Sequence, residues 1–151
     1  MDYASIEREL YIDASPEVVF EVVSRPEHIR DWWSAETDVE PSPGSSGTLV
    51  WRDEATGRED TVPITVVHSD PPRVFSFRWA YAERGLEDAL LVTFELTPSG
   101  TGTRLHLTET GFREQGWDAA VLEAQYNDHA QGWDFYVPRI ATRAAHLVAS
   151  R

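Results

Sequence analysis

The fold of this chain can be read most directly from residues 14–33, which run ASPEVVFEVVSRPEHIRDWW. Ser15 and Pro16 are typical of a helix start, because serine caps unpaired N–H groups and proline needs none at the first helical position. Valines and a phenylalanine then supply the apolar stripe of a short helix. Ser24 and Glu27 have the spacing of a capping box, which predicts a second short helix that ends in two adjacent tryptophans.

The segments on either side of this stretch read as strands. Residues 6–12 alternate apolar and polar side chains, and from residue 34 to residue 109 turn-forming residues separate further short alternating runs. Pro63 lies inside the run 58–68 and predicts an edge strand or a bulge there, because proline cannot donate to a ladder. Residues 80–89 are expected to form a polar hairpin loop. The pattern therefore predicts about seven strands.

The last third of the chain changes its period. From Asp118 onward, apolar residues recur at spacings of three and four, which is typical of one face of a long amphipathic helix. Pro138 lies within this helix, where its ring crowds the carbonyl of Asp134 and its missing N–H removes one hydrogen bond. We therefore expect a kink near residues 134–138 rather than a break.

Composition narrows the class of protein. A length of 151 residues favours one domain, and a net charge of −13 makes nucleic acid an unfavourable partner. There is no cysteine, no lysine, no apolar run long enough to span a membrane and no pattern of a secretory signal. We therefore expect a cytoplasmic protein without membrane insertion and without Schiff-base chemistry, which requires lysine.

Motifs for metal or cofactor chemistry are absent from the sequence. No HExxH, phosphate-binding loop, dinucleotide fingerprint or G-x-S-x-G elbow occurs, so no metal and no cofactor are expected. The six tryptophans stand out instead, since each buries a large area and has an N–H that prefers a partner. By composition alone they indicate either a bulky filled core or the walls of a ligand cavity.

Three polar residues have unusual positions. His129 lies on the apolar face of the long helix, where it is either a hydrogen-bonded core histidine or a ligand-binding or acid–base group. Arg8 and Glu109, on the first and last strands, each alternate in step with apolar residues and are therefore expected on the apolar face of their strand. They are expected either to form an internal ion pair or a polar anchor for a ligand, or to reach water at the strand ends.

Several sequence blocks together resemble one family. These blocks are residues 14–33, PSPGSSGT, PPRVFSFRW, VTFELTPSGTGTRLHLTETGF and the late helical pair Gly132 and Trp133. The chain is similar to bacterial proteins that resemble the C-terminal domain of the heat-shock protein 90 ATPase activator, within the START-like SRPBCC superfamily. The resemblance implies an α+β helix-grip fold over residues 1–151: a curved antiparallel sheet, two short helices after the first strand, and a long C-terminal helix over the sheet.

The resemblance also implies a function. Superfamily members include lipid and hormone binders and polyketide cyclases, which implies an apolar or aromatic small-molecule ligand held between the sheet and the long helix. The ligand-binding residues implied are Trp32, Trp33, Trp51, Phe75, Phe77, Trp79, Phe94, Glu109, Tyr126, His129 and Trp133. One alternative is a cyclase- or hydrolase-type enzyme that uses His129, Tyr126 or Glu109 as acid or base. The other is a chaperone-linked or self-associating module with an exposed patch near Trp51 or Trp117, and either a monomer or a homodimer is possible.

Overall fold

The strands of this protein form one sheet. In a computed structural model that describes residues 2–80 and 86–151, seven antiparallel strands lie in the order β1-β7-β6-β5-β4-β3-β2. Their bounds are β1 Ser5–Ile12, β2 Glu36–Thr37, β3 Ser46–Arg52, β4 Glu59–Asp70, β5 Val74–Trp79, β6 Leu90–Ser99 and β7 Gly102–Thr110. The predicted α+β helix-grip architecture and the pairing of the first strand with the last are confirmed. Of the hairpin loop expected over residues 80–89, residues 81–85 lie outside the described residues, and Leu86–Asp88 form a short 3-10 helix.

Two short helices follow β1, as expected. Helix α1 spans Pro16–Ser24, and the Ser15 hydroxyl accepts a hydrogen bond from the N–H of Val18 at 3.3 Å. Helix α2 spans Pro26–Trp33, but the predicted capping box is wrong. Ser24 is still the last residue of α1, and its hydroxyl donates to the Phe20 carbonyl at 2.6 Å, so it cannot cap α2.

The expectation that Pro63 marks an edge strand or a bulge is also wrong. Strand β4 lies between β3 and β5, and its register shift falls between Val66 and His68 instead. Pro63 accepts a hydrogen bond from the N–H of Ala80 at 3.2 Å, just beyond the end of β5. Its missing N–H therefore faces the point where the partner strand stops, and little ladder bonding is lost.

The C-terminal helix is long and continuous. Helix α3 spans Ala119–Ala149, begins at an Asp118 cap and continues through Pro138. The predicted absence of a break is confirmed, and the kink stays a prediction. Helix α3 packs against α1, α2 and β1. Among the described helices, none combines the length and the apolar character that crossing a bilayer requires.

A dense aromatic core lies between the two short helices and the centre of the sheet. Phe20 packs edge-on against Phe75 at 6.0 Å, and Trp32 packs edge-on against Phe94 at 6.0 Å between ring centroids. Phe77 completes this group, which we call the aromatic core: Trp32, Phe75, Phe77 and Phe94, each at most 2% exposed. Close packing of this kind leaves no room for a ligand between these rings.

Candidate functional site

A groove of about 890 Å³ separates α3 from strands β3 and β4. Four tryptophans border it, and we call the space the tryptophan groove after Trp33, Trp51, Trp79 and Trp133. The other described lining residues are Arg58, Glu59, Asp60, Thr61, Val62, Gln125, Asp128, His129, Gly132 and Tyr136. The groove forms because α3 rests on β1 and the short helices, whereas β3 and β4 lie at the opposite end of the strand order.

Trp33 is the central ring of the groove wall. Its ring stacks on Trp133 with centroids 5.3 Å apart and packs at 4.9 Å against Trp79 and at 5.3 Å against Trp51. On its other side Trp33 stacks on Trp32 at 5.2 Å, with planes only 4° apart. Trp33 therefore connects the aromatic core to the tryptophan groove.

Glu109 lies behind this wall with no exposed surface. Its carboxylate accepts hydrogen bonds from the indole N–H groups of Trp79 and Trp133, each at 2.8 Å, one to each oxygen. The Nδ1 atom of His129 lies 3.1 and 3.2 Å from the two oxygens. Three donors thus surround one buried carboxylate, which offsets its desolvation.

The contact with Glu109 also orients His129. An ionised carboxylate can only accept, so the His129 contact requires a proton on Nδ1. In this arrangement a neutral His129 carries its one ring proton on Nδ1. His129 lines the groove while its side chain is 9% exposed. A titratable group thus borders the space where a ligand would lie.

The expected pairing of Arg8 with Glu109 is wrong, and so is the alternative in which both reach water. The register of β1 and β7 places Ile6, not Arg8, opposite Glu109. The Arg8 guanidinium instead binds Asp134 of α3, with Nε to Oδ1 at 2.6 Å. Arg8 and Glu109 therefore each contact α3, but through different residues: Arg8 binds Asp134, and Glu109 binds His129 and Trp133.

A polar clamp joins α2 to α3. Arg139 donates to the backbone carbonyls of Trp32 at 3.0 Å and of Asp31 at 2.9 Å, at the C-terminal end of α2 where carbonyls lack helical partners. Arg143 donates to Nδ1 of His28 at 3.0 Å and pairs with Asp31 at 2.7 Å. Burial and the Arg143 charge lower the pKa of His28 below its ordinary value of 6.5.

The structure divides the eleven residues of the predicted site into three groups. Trp32, Phe75, Phe77 and Phe94 form the filled aromatic core and do not line the groove. Tyr126 packs against Phe112 and donates to the Ser5 carbonyl at 2.7 Å, on the β1 side of α3. Brought together are Trp33, Trp51, Trp79, Glu109, His129 and Trp133. That any of the eleven contacts a ligand stays a prediction.

On the α3 wall of the groove, the sequence-based site included His129 and Trp133 but missed Gly132 and Tyr136. These four residues lie at positions i, i+3, i+4 and i+7 of α3, so the same helical periodicity could have identified the two that were missed. A Cβ atom built on Gly132 meets no described atom within 4 Å, so this glycine faces open space. The acidic side chains near the hairpin of β3 and β4 follow no sequence pattern that would have marked them as lining the groove. Trp51 and Trp117, expected to centre an exposed patch, are both half-buried.

Solved structures of similar fold come from several bacteria. Protein MLL2253 from Mesorhizobium loti has a TM-score of 0.76 and 22% identity, and the match covers 94% of this chain and 97% of that one. Protein BH1534 from Bacillus halodurans has a TM-score of 0.69 and 24% identity, with 93% and 96% covered. DynU16, from the dynemicin biosynthetic locus, has a TM-score of 0.70 and 22% identity, and the match covers 92% of this chain but 46% of DynU16.

Fold and site together define a helix-grip protein with an aromatic groove beside its long helix. The family model described as activator of Hsp90 ATPase homolog 1-like protein matches residues 13–145, and the chain belongs to that family. This confirms the resemblance stated from the sequence. No curated protein matches the chain.

Proposed function

We propose that this protein binds an apolar or aromatic small molecule in the tryptophan groove. The observation that carries the proposal is the wall formed by four tryptophans around a space of about 890 Å³. Small-molecule sites commonly have volumes of about 300–1,000 Å³ and mostly apolar walls with a few polar groups. The groove has a volume in this range and combines its tryptophan wall with a polar rim, with His129 and with the buried Glu109 behind the wall.

Gly132 provides a direct test of this proposal. A leucine at this position would project into the groove, while Gly132→Ala adds only a methyl group to the same helix position. Both variants gain helix propensity, by up to about 1 kcal/mol for alanine, so neither is expected to lose stability. The two variants therefore separate blockage of the groove from damage to the fold.

The measurement is a titration of tryptophan fluorescence with a panel of fatty acids, sterols, aromatic polyketide-like compounds and aryl amines. The wild type and Gly132→Ala are expected to respond to at least one class, and Gly132→Leu is expected to lose that response while it keeps its melting temperature. A Gly132→Leu variant that binds as well as the wild type would place the ligand elsewhere. No response to any class would remove the proposal.

A second candidate is an enzyme that moves a proton on the bound molecule. It is favoured by the contact between His129 Nδ1 and Glu109 at 3.1 Å, which brings together two of the three residues considered for acid–base chemistry. His129 would take a proton from an acidic C–H or O–H group of the ligand and return it to another atom. Tyr126 has no part in this step because its hydroxyl is directed to Ser5.

The test uses a ligand found by fluorescence. After incubation with wild type and with His129→Asn, the ligand is analysed by mass spectrometry and by deuterium exchange from heavy water. Exchange catalysed by the wild type and lost in His129→Asn, with binding retained, supports the enzyme. A ligand recovered unchanged and unexchanged from the wild type contradicts it.

Contact with a chaperone, self-association and a cytoplasmic location stay predictions.

A further inference from the structure

The rim of the tryptophan groove is acidic. Glu59, Asp60 and Asp128 line it, and among the described lining residues Arg58 is the one that carries a fixed positive charge. The Arg58 guanidinium is 77% exposed and lies 3.7 Å from Asp60, and Glu59 lies 3.3 Å from Arg52 at the mouth. The surrounding field is negative as well, since the chain has a net charge of −13. An anionic ligand would meet repulsion here.

Three of the four indole rings that border the groove donate their N–H groups to acceptors within the protein. The N–H of Trp51 donates to the Trp33 carbonyl at 2.8 Å, and those of Trp79 and Trp133 donate to Glu109. These three rings therefore border the groove with carbon surface and offer no N–H to a carboxylate or a carbonyl, with Trp51 half-buried and Trp79 and Trp133 at most 9% exposed. Indole faces carry negative quadrupole charge, and indole is the ring that attracts cations most strongly.

The buried carboxylate strengthens this preference. Glu109 accepts from two of the groove indoles, and a hydrogen bond to an anion polarises its donor and shifts electron density into the ring. The faces of Trp79 and Trp133 thereby become more attractive to a positive charge. The same carboxylate adds to the negative potential behind the wall.

We infer that the ligand of the tryptophan groove is an organic cation, namely an apolar or aromatic amine, quaternary ammonium or protonated N-heterocycle. Its apolar part lies along the indole wall and its charged nitrogen lies between the indole faces and the carboxylates of Asp60 and Asp128. This inference rests on the proposed function, because it names the ligand class of the same groove.

The test compares three probes of one shape on the full-length protein. They are 3-phenylpropyl-trimethylammonium, the neutral analogue in which carbon replaces the nitrogen, and a phenylalkanoate of the same length. Tryptophan fluorescence and calorimetry at low salt give their affinities. The ammonium probe is expected to bind about tenfold more tightly than its neutral analogue, the size of effect that a desolvated cation–π contact gives.

The outcomes separate this inference from the proposed function. Equal affinities for the ammonium and the neutral probe, or tightest binding of the carboxylate, would overturn the cation inference while the groove would remain a binding site. Absence of binding by all three probes, and by the wider panel described above, would overturn both. Added salt should lower the affinity of the ammonium probe and leave the affinity of the neutral probe unchanged.

Charge-removal variants give a second readout. Asp60→Asn combined with Asp128→Asn should weaken binding of the ammonium probe about threefold and leave binding of the neutral probe unchanged, since each exposed charge pair contributes only weakly. The control is Glu54→Gln, which removes an exposed charge from the same hairpin outside the groove. Equal losses for both probes, or an equal loss in the control, would contradict the assignment of these carboxylates.

Discussion

Two groups of aromatic rings meet at Trp33, and they differ in what covers them. The aromatic core lies beneath α1 and α2, and its four rings are at most 2% exposed. The tryptophan groove lies beside α3, where Trp51 is half-buried and open space remains next to Gly132. Trp33, Trp79 and Trp133 are themselves at most 9% exposed, so the two regions differ less in the burial of their rings than in the open space that borders the groove.

The polar groups of the two regions differ in the same way. In the aromatic core the Trp32 N–H donates at 2.8 Å to the Val22 carbonyl, a backbone group of the neighbouring helix. In the groove two indoles share one charged side chain, Glu109, together with His129. A buried charge is costly to desolvate and depends on each of these donors, whereas the packing of the aromatic core depends on none of them.

The largest expected effect tests the packing of the core. Phe94→Ala removes a ring that is completely buried among Trp32, Phe77 and Trp133. We expect the free energy of unfolding to fall by about 4 kcal/mol, because both transfer energy and a cavity are involved. Urea unfolding followed by circular dichroism measures this. A loss below about 1 kcal/mol would mean that this region can collapse or is not filled.

Removal of the Glu109 carboxylate tests how far the hydrogen-bond network behind the tryptophan groove stabilises the fold. Glu109→Ala would leave the N–H groups of Trp79 and Trp133 and the Nδ1 of His129 without their acceptor. We expect a loss of about 3 kcal/mol, since unpaired buried polar groups are costly. Glu109→Gln, which keeps one acceptor oxygen, should lose less. A Glu109→Ala variant as stable as the wild type would show that the network contributes nothing to stability.

Trp51 separates stability from binding. This half-buried ring packs against Trp33 and Trp79 at the groove, and its N–H donates to the Trp33 carbonyl. Trp51→Leu is expected to cost about 1 kcal/mol of stability, the typical net value of one hydrogen bond, while ligand affinity falls by about tenfold. Chemical unfolding and a fluorescence titration measure the two effects. A large loss of stability with unchanged affinity would assign Trp51 to the core instead.

The smallest expected effect concerns pH at the clamp between α2 and α3. Because burial and Arg143 lower the pKa of His28 in the folded state, the unfolded chain binds the additional proton more readily. The stabilisation is complete above the unfolded pKa, near 6.5, and decreases as the pH falls below that value toward the folded pKa. Melting temperatures between pH 7.5 and 5 should therefore decrease with acidification.

His28→Asn is the matched variant for this measurement. Asparagine can present an oxygen near the position of Nδ1 for the Arg143 guanidinium, but it does not titrate. Its melting temperature should change less over the same pH range than that of the wild type. Identical pH dependence in the two proteins would assign the effect to other groups. A change of pH at His28 should alter the tryptophan groove only if it shifts the position of α2.

Local sequence patterns predicted most of the fold. The cap at Ser15, the alternation of the strands and the period of α3 each depend on neighbours within a few residues, and the structure confirms them. The errors arose where a distant partner decided the outcome. Ser24 belonged to the preceding helix, and the missing N–H of Pro63 was tolerated because β5 ends opposite it.

The candidate site was predictable only in part. Parity identified Glu109 as a charge on an apolar face, and helical spacing identified His129 and Trp133. Neither could reveal that these side chains converge, because the contact joins residues twenty or more positions apart on different elements. The prediction that Arg8 pairs with Glu109 was wrong for the same reason, because its actual partner, Asp134, lies far away in the sequence on another element. The phenylalanines of β5 and β6 were counted among the ligand-binding residues that the resemblance implies, and the sequence could not show that they belong to the core.

Sequence by itself determined the order of strands and helices and the supply of aromatic rings, since periodicity and capping act over short distances along the chain. Its motifs also carried the resemblance to the family. Only the tertiary structure decided which rings are buried and which border open space. The physical reason is that α3 rests on β1 and the short helices and is held there by Arg8 and Arg139. That placement leaves β3 and β4 apart from the helix, and the groove between them follows.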